Sequence, residues 1–214
     1  MGAERAWWWP VARVEDLGPE PLSLTLLGER LVLWRSASGQ VALFTDRCPH
    51  RGARLSMGRV QGESLQCPYH GWRFDSSGAC AAIPAQPSFQ PPASSAACRF
   101  DIRQAHGLWW ASIGTTQHEP PRLDHLPKRR LIYGPFDVAT SAPRAVENFL
   151  DTAHFAYVHE GWLGDSAHPE VPPYEVAHTP DGRPLIERYR AWQPRASATA
   201  QGGAWVEYRY EVLS

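Results

Sequence analysis

Two short stretches hold residues able to bind a redox metal: Cys48-Pro49-His50-Arg51-Gly52 and Cys67-Pro68-Tyr69-His70-Gly71-Trp72. Each offers one thiol and one imidazole, as Cys-x-His, sixteen intervening residues, then Cys-x-x-His. Thiolates and imidazoles suit zinc, copper or iron–sulfur centres. Two equivalent loops can approach a two-iron cluster from opposite sides, one iron taking Cys48 and Cys67 and the other His50 and His70. Pro49 and Pro68 stiffen the loops, and Gly52 and Gly71 permit close main-chain approach. A tetrahedral zinc site uses the same donors and stays open at this point, although zinc fingers ordinarily pair Cys with Cys and His with His.

A second candidate set follows in Glu147-Asn148-Phe149-Leu150-Asp151-Thr152-Ala153-His154-Phe155-Ala156-Tyr157-Val158-His159. In a continuous helix Asp151 and His154 share a face. His154 and His159 are five apart, about 140° around an ideal helix. For both to meet one metal, the helix must bulge near Ala156 or end there, with His159 just beyond. Two His and a carboxylate form the facial triad of non-haem Fe(II) oxygenases.

These sets sit in two segments. From about Trp7 to Ile113 the pattern is all-β, with apolar runs such as Leu31–Trp34 and Val41–Phe44, turn signals at Ser38-Gly39 and Ser77-Gly78, and a closing strand from Gly107 to Ala111. Thr115 to Lys128 contains Pro120, Pro121 and Pro127 and reads as a linker. The second segment opens with a strand-like run, Arg130 to Val138. A helical window from about Ala142 to Val158 follows, then strand-like runs at Tyr174–His178, Leu185–Trp192 and Ala204–Leu213. In the last, Val206, Tyr208, Tyr210 and Val212 face one way and Glu207, Arg209 and Glu211 the other. Thr179-Pro180-Asp181-Gly182 joins the first two as a hairpin.

The chain has 214 residues, 43% hydrophobic and 20% charged, as in an ordinary globular protein. A net charge of −1 gives no field directed at nucleic acid or an anionic membrane. No run approaches the roughly 20 apolar residues of a membrane helix, and the Trp-rich start does not read as a signal peptide. Four Cys are too few for a disulfide scaffold. The expected compartment is the cytoplasm, with Cys80 and Cys98 as plain thiols.

On the two metal-binding loops, the first segment resembles the Rieske superfamily, in its oxygenase and ferredoxin branch. The cytochrome bc branch carries an extra, disulfide-linked Cys in each loop, where this chain has Ala53 and Tyr69. That branch also places Ser and Tyr hydroxyls near the cluster sulfurs, where this chain has Trp72 and Phe74. Hydrogen bonds to sulfur raise the potential, so the expected value lies in the lower part of the roughly −150 to +300 mV Rieske range. The second set resembles the Asn-x-x-Asp-x-x-His-x-x-x-x-His signature of Rieske non-haem iron oxygenases, particularly the O-demethylase-like subgroup. With it the resemblance spans essentially the whole chain.

The resemblance implies an N-terminal all-β Rieske [2Fe–2S] domain (1–115), a linker (116–128) and an incomplete α+β helix-grip-like catalytic domain with an antiparallel sheet (129–214). It implies Cys48, His50, Cys67 and His70 as cluster ligands and His154 and His159 as ligands of a mononuclear Fe(II). Asp151 then links the iron site to His70 of a neighbouring subunit, and Asn148 lies near the iron. The family's third iron ligand is an Asp on a C-terminal helix. Here no helical segment after Leu163 supplies one, since Asp165, Glu170, Asp181 and Glu187 fall in turn- or strand-like runs. The favoured expectation is a piece of a longer oxygenase; a short homologue completed by a partner is the other.

The function so implied is an oxygenase component. It takes electrons from an NAD(P)H-dependent reductase or ferredoxin and activates O2 to hydroxylate or O-demethylate a small aromatic or apolar substrate, in a homotrimer, with no nucleic acid or membrane involved. The alternative, a Rieske ferredoxin-like carrier without turnover of its own, leaves His154 and His159 unexplained.

Overall fold

The computed structural model describes residues 3–116, 119–123, 132, 134, 136, 138–179, 182, 184–197 and 199–211. The chain divides into two compact units, Met1–Ile132 and Tyr133–Ser214.

The apolar runs at 31–34 and 41–44 do not alternate because both faces of their strands are covered. They lie in β3 (Glu29–Arg35) and β4 (Val41–Thr45), inside a six-stranded antiparallel sheet. The sheet runs β1 (Trp9–Arg13), β10 (Leu108–Ser112), β9 (Arg99–Ala105), β4, β3, β2 (Leu22–Leu26). On one face Leu31, Leu33 and Leu43 pack with Leu17, Ile102 and Trp109. On the other, Val32, Trp34, Ala42 and Phe44 pack with Leu55, Leu65, Phe74, Cys48 and Cys67. Phe44, Leu55, Leu65 and Phe74 are wholly buried, and such burial is worth about 1.5–3 kcal/mol per side chain. The candidate cysteines therefore stand in the wall of a hydrophobic core.

A smaller antiparallel sheet, β5 (Arg59–Gln61), β6 (Ser64–Gln66), β7 (Arg73–Asp75) and β8 (Cys80–Ala82), carries Leu65 and Phe74 to that core. The turns at Ser38-Gly39 and Ser77-Gly78 form where the sequence places them. Gly107 belongs to the turn before β10, since His106 and Gly107 both have positive φ.

The second unit contains α1 (Ala142–Leu150), α2 (Phe155–Val158) and an antiparallel sheet of β11 (Val176–His178), β12 (Pro184–Gln193) and β13 (Ala204–Glu211). The hairpin between β11 and β12 closes with Gly182 N–H donating to the Thr179 carbonyl at 2.8 Å. Register shifts between Ile186 and Tyr189, and Arg188 takes a left-handed φ of 57°. This bulge lets Ile186 and Tyr189 both point inward, at 8% and 3% exposure, which a regular two-residue period forbids. The expected strand at 130–138 lies partly outside the described residues, and Ile132, Gly134, Phe136 and Val138 are in no strand. Among the described residues no helix is long and apolar enough to cross a membrane.

Candidate metal centres

Both cysteine loops repeat one backbone design. Cys48 N–H donates to the Ala53 carbonyl and Gly52 N–H to the Cys48 carbonyl, each at 2.8 Å. Cys67 N–H donates to the Trp72 carbonyl at 2.8 Å and Gly71 N–H to the Cys67 carbonyl at 3.1 Å. Gly52 and Gly71 have φ of 76° and 71°, a region costly for residues bearing a Cβ. The first loop follows β4 and the second joins β6 to β7, so opposed sheets hold them face to face.

The donors sort by burial. Cys48 and Cys67 are each 2% exposed, whereas His50 and His70 reach solvent. Burial pushes the Cys48 thiol up to about 11, and the facing Cys67 adds to the rise. A thiol so placed is inert until a metal draws off its proton. The imidazole rings of His50 and His70 lie 4.8 Å apart. Desolvation, with His70 and Arg51 nearby, lowers the His50 pKa and favours the neutral, metal-binding ring.

Sulfur thus faces sulfur inside and nitrogen faces nitrogen outside. A two-iron cluster takes its donors two by two, one iron binding sulfur and the other nitrogen, and the arrangement fits that pattern.

Three residues support the loops in ways the sequence reading did not foresee. Trp72 stacks on His50, with centroids 4.5 Å apart and planes 3° from parallel. Tyr69 lies against His70 at 3.8 Å. Asp46, two residues before Cys48 and with a fully buried side chain, accepts from Ser56 N–H and Oγ at 2.7 Å each and from Arg54 Nε at 3.0 Å. It closes the first loop from beneath. A carboxylate two positions from a cysteine ligand was the available signal. Cys80 and Cys98 are free thiols, the first half-buried beside the core and the second exposed.

In the second unit the expected continuous helix from Ala142 to Val158 is broken. α1 ends at Leu150, and Asp151 is extended with φ −74° and ψ 122°. The cause is local: Asp151 Oδ1 accepts the Ala153 N–H at 2.9 Å, a side-chain turn that competes with helical bonding. Asp151 Oδ2 also meets His154 Nδ1 at 3.1 Å. The Ala153 N–H, then His154, hold the Asp151 carboxyl below its ordinary value. α2 is a single turn that ends at Val158 with His159 just beyond it, the second of the two arrangements the spacing allows, and a further break falls at Asp151. The rings of His154 and His159 come within 5.1 Å. Phe155 lies edge-on to both, at 5.1 and 6.1 Å.

The chain after His159 folds back on α2. Trp162 and Leu163 N–H donate to the His159 carbonyl, and Gly161 N–H to the Gly164 carbonyl. A Cβ on Gly164 would run into the Phe155 carbonyl carbon. Asn148 is exposed on α1. Asp165 accepts from Ala167 N–H, and Glu187 on β12 pairs with Arg209, so neither joins the histidines. Asp181 lies outside the described residues, and Glu170 is exposed. The two imidazoles, one carrying a carboxylate on Nδ1, fit a mononuclear iron site, with His154 Nε2 left for the metal.

Two family models match successive parts of the chain. Residues 7–98 match the Rieske [2Fe-2S] domain, and residues 138–203 the vanillate O-demethylase oxygenase C-terminal domain. Methylxanthine N1-demethylase NdmA of Pseudomonas putida is 38% identical over 78% of this chain and 51% of its own length. The 3-chlorobenzoate-3,4-dioxygenase oxygenase subunit of Comamonas testosteroni is 36% identical over 76% of this chain and 39% of its own. The solved structure of NdmB from Pseudomonas putida CBB5 superposes with a TM-score of 0.72 at 31% identity, over 94% of this chain and 68% of that one. The chain belongs to the Rieske non-haem iron oxygenases. It spans about half the length of the curated relatives it matches.

Proposed function

We propose that this chain is the cluster-bearing portion of an oxygenase component that delivers electrons to a non-haem iron and oxidises a small aromatic substrate with O2. Cys48 and Cys67 hold the inner iron of the cluster, and His50 and His70 the outer one. The burial pattern supports this: the imidazoles reach solvent and the cysteines do not, so an electron partner would meet the histidine side. Trp72 covers one ring of that side.

His154 and His159 hold the catalytic iron, which supplies the oxygen chemistry when bound. Asp151 orients His154 through Nδ1 and fixes its tautomer. Its side chain is 49% exposed, which leaves an oxygen edge able to accept a second hydrogen bond from His70 of the partner subunit, within a homotrimer. Asn148, on α1, is assigned a place near the iron by its position in the motif. The electron donor is an NAD(P)H-dependent reductase or ferredoxin. The names of the relatives, demethylases and an aromatic dioxygenase subunit, point to demethylation or ring hydroxylation. The linker falls at 116–128.

The observation that carries the reading is the approach of His154 and His159 with Asp151 on the outer nitrogen. It is also what separates the reading from an electron carrier, for which the pair has no use. The test is iron and acid-labile sulfide per chain. Three irons and two sulfides are expected, falling to two irons in His154→Ala and in His159→Ala with an unchanged visible spectrum. Collapse of the cluster spectrum in those variants overturns the division of roles.

A further inference from the structure

The aromatic ring that touches both iron-site histidines also begins a file of tyrosines. Phe155 lies 6.2 Å from Tyr208, centroid to centroid. Tyr208 stacks on Tyr210 at 5.7 Å and meets Tyr189 at 6.3 Å. Tyr189 meets Tyr210 at 6.2 Å and Tyr174 at 5.5 Å. Every step is within the spacing of interacting aromatic pairs. Tyr189 is 3% exposed at the middle of the file, and Tyr174 is 44% exposed at its end.

Fold geometry places them there. Tyr208 and Tyr210 share one face of β13, and the bulge at Arg188 turns Tyr189 inward to meet both. Packing alone asks only for apolar bulk at these positions, and Phe or Leu meets that need without a hydroxyl to satisfy. Tyr208 Oη accepts a hydrogen bond from Gln193 Nε2. What tyrosine adds over phenylalanine is ease of one-electron oxidation with loss of its phenolic proton.

We propose that Tyr208, Tyr189 and Tyr174, with Tyr210 alongside, form an electron conduit that drains oxidising equivalents from the His154/His159 site to the protein surface when no substrate is there to consume them. This rests on the iron-site reading above. Tyr208 gives one electron to the oxidised metal site across Phe155 and releases its phenolic proton to solvent. Tyr189 reduces and reprotonates Tyr208, and Tyr174 does the same for Tyr189. An external one-electron reductant of the thiol or ascorbate class then restores Tyr174. Each passage carries one electron inward, and two return a site oxidised by two equivalents.

Tyr157 provides the internal control. It lies between the two histidines in sequence, is 66% exposed and belongs to no ring contact among the described residues. The experiment treats iron-loaded protein with hydrogen peroxide and no substrate. Tyrosyl radical is read by freeze-quench electron paramagnetic resonance, and oxidised residues by peptide mass spectrometry. Tyr174 is expected to carry the dominant oxidation in the parent protein and to lose at least ten-fold of it in Tyr208→Phe and in Tyr189→Phe. Those variants keep the ring packing and the iron. They are also expected to lose site iron after fewer peroxide equivalents. Oxidation centred on Tyr157, or undiminished at Tyr174 in Tyr208→Phe, overturns the conduit while leaving the iron site intact. Iron content of two per chain before treatment overturns the iron site and removes the oxidant with it.

Discussion

Asp151 Oδ2 accepts a hydrogen bond from His154 Nδ1 at 3.1 Å while its other oxygen accepts from the Ala153 backbone at 2.9 Å. A carboxylate can only accept, so Nδ1 carries a proton and Nε2 is the nitrogen left to face a metal. Replacing such an orienting partner typically costs about 10–100-fold in metal affinity or activity. Asp151→Ala is therefore expected to slow reoxidation of the reduced cluster by O2 in the presence of substrate by at least ten-fold. The cluster spectrum stays the same. A stopped-flow trace of the cluster's visible absorption checks it; an unchanged rate refutes the linking role.

The Trp72–His50 stack shields the more exposed half of the cluster site. Trp72→Ala is expected to bleach several-fold faster than the parent protein under a chelator such as EDTA. Trp72→Phe, which can still stack, stays close to the parent. Equal bleaching of all three proteins shows that the indole protects nothing.

Phe74 is wholly buried in the core that contains Cys48 and Cys67. Its lack of a hydroxyl underlies the expected low potential. Phe74→Tyr brings an O–H donor to that side of the cluster, and its midpoint should rise from the lower toward the middle part of the roughly −150 to +300 mV Rieske range. Redox titration followed by electron paramagnetic resonance reads the shift. A fall, or a parent protein near the upper limit, contradicts the argument.

Asp46 ties Arg54 and Ser56 beneath the first loop. Asp46→Ala leaves a backbone N–H, a hydroxyl and a guanidinium without their acceptor, at a cost of about 2–4 kcal/mol. Arg54 is partly exposed and recovers some solvation. Urea denaturation of the apo-protein measures this, and the same variant should release its cluster more readily. A loss below about 0.5 kcal/mol, the usual range for surface changes, would place Asp46 outside the loop's support.

The cluster loops were legible in the sequence because four donors with two prolines and two glycines leave few other readings. The all-β first unit was legible from its apolar runs and turn signals. What the sequence hid were relationships between distant residues. Trp72 was noted for the hydroxyl it lacks, yet its parallel stack on His50 depends on β6 and β7 bringing the second loop opposite the first. The helix break at Asp151 was hidden because helical spacing of Asp151 and His154 looks the same whether the residues lie in a helix or in a turn. Only the side-chain bond to Ala153 decides. The alternation of Tyr208 and Tyr210 was visible, but Tyr189 joins them only through a bulge that pattern reading steps over.

Gly164 presses so closely on the carbonyl of Phe155 that its missing side chain acts as a gauge for the gap between two neighbouring imidazoles. A methyl group there pushes on the first turn of α2, and His154 and His159 stand at its two ends. Ordinary drift through alanine or serine is therefore closed at this position. Any Cβ at residue 164 must displace backbone first, and the spacing of the two rings moves with it.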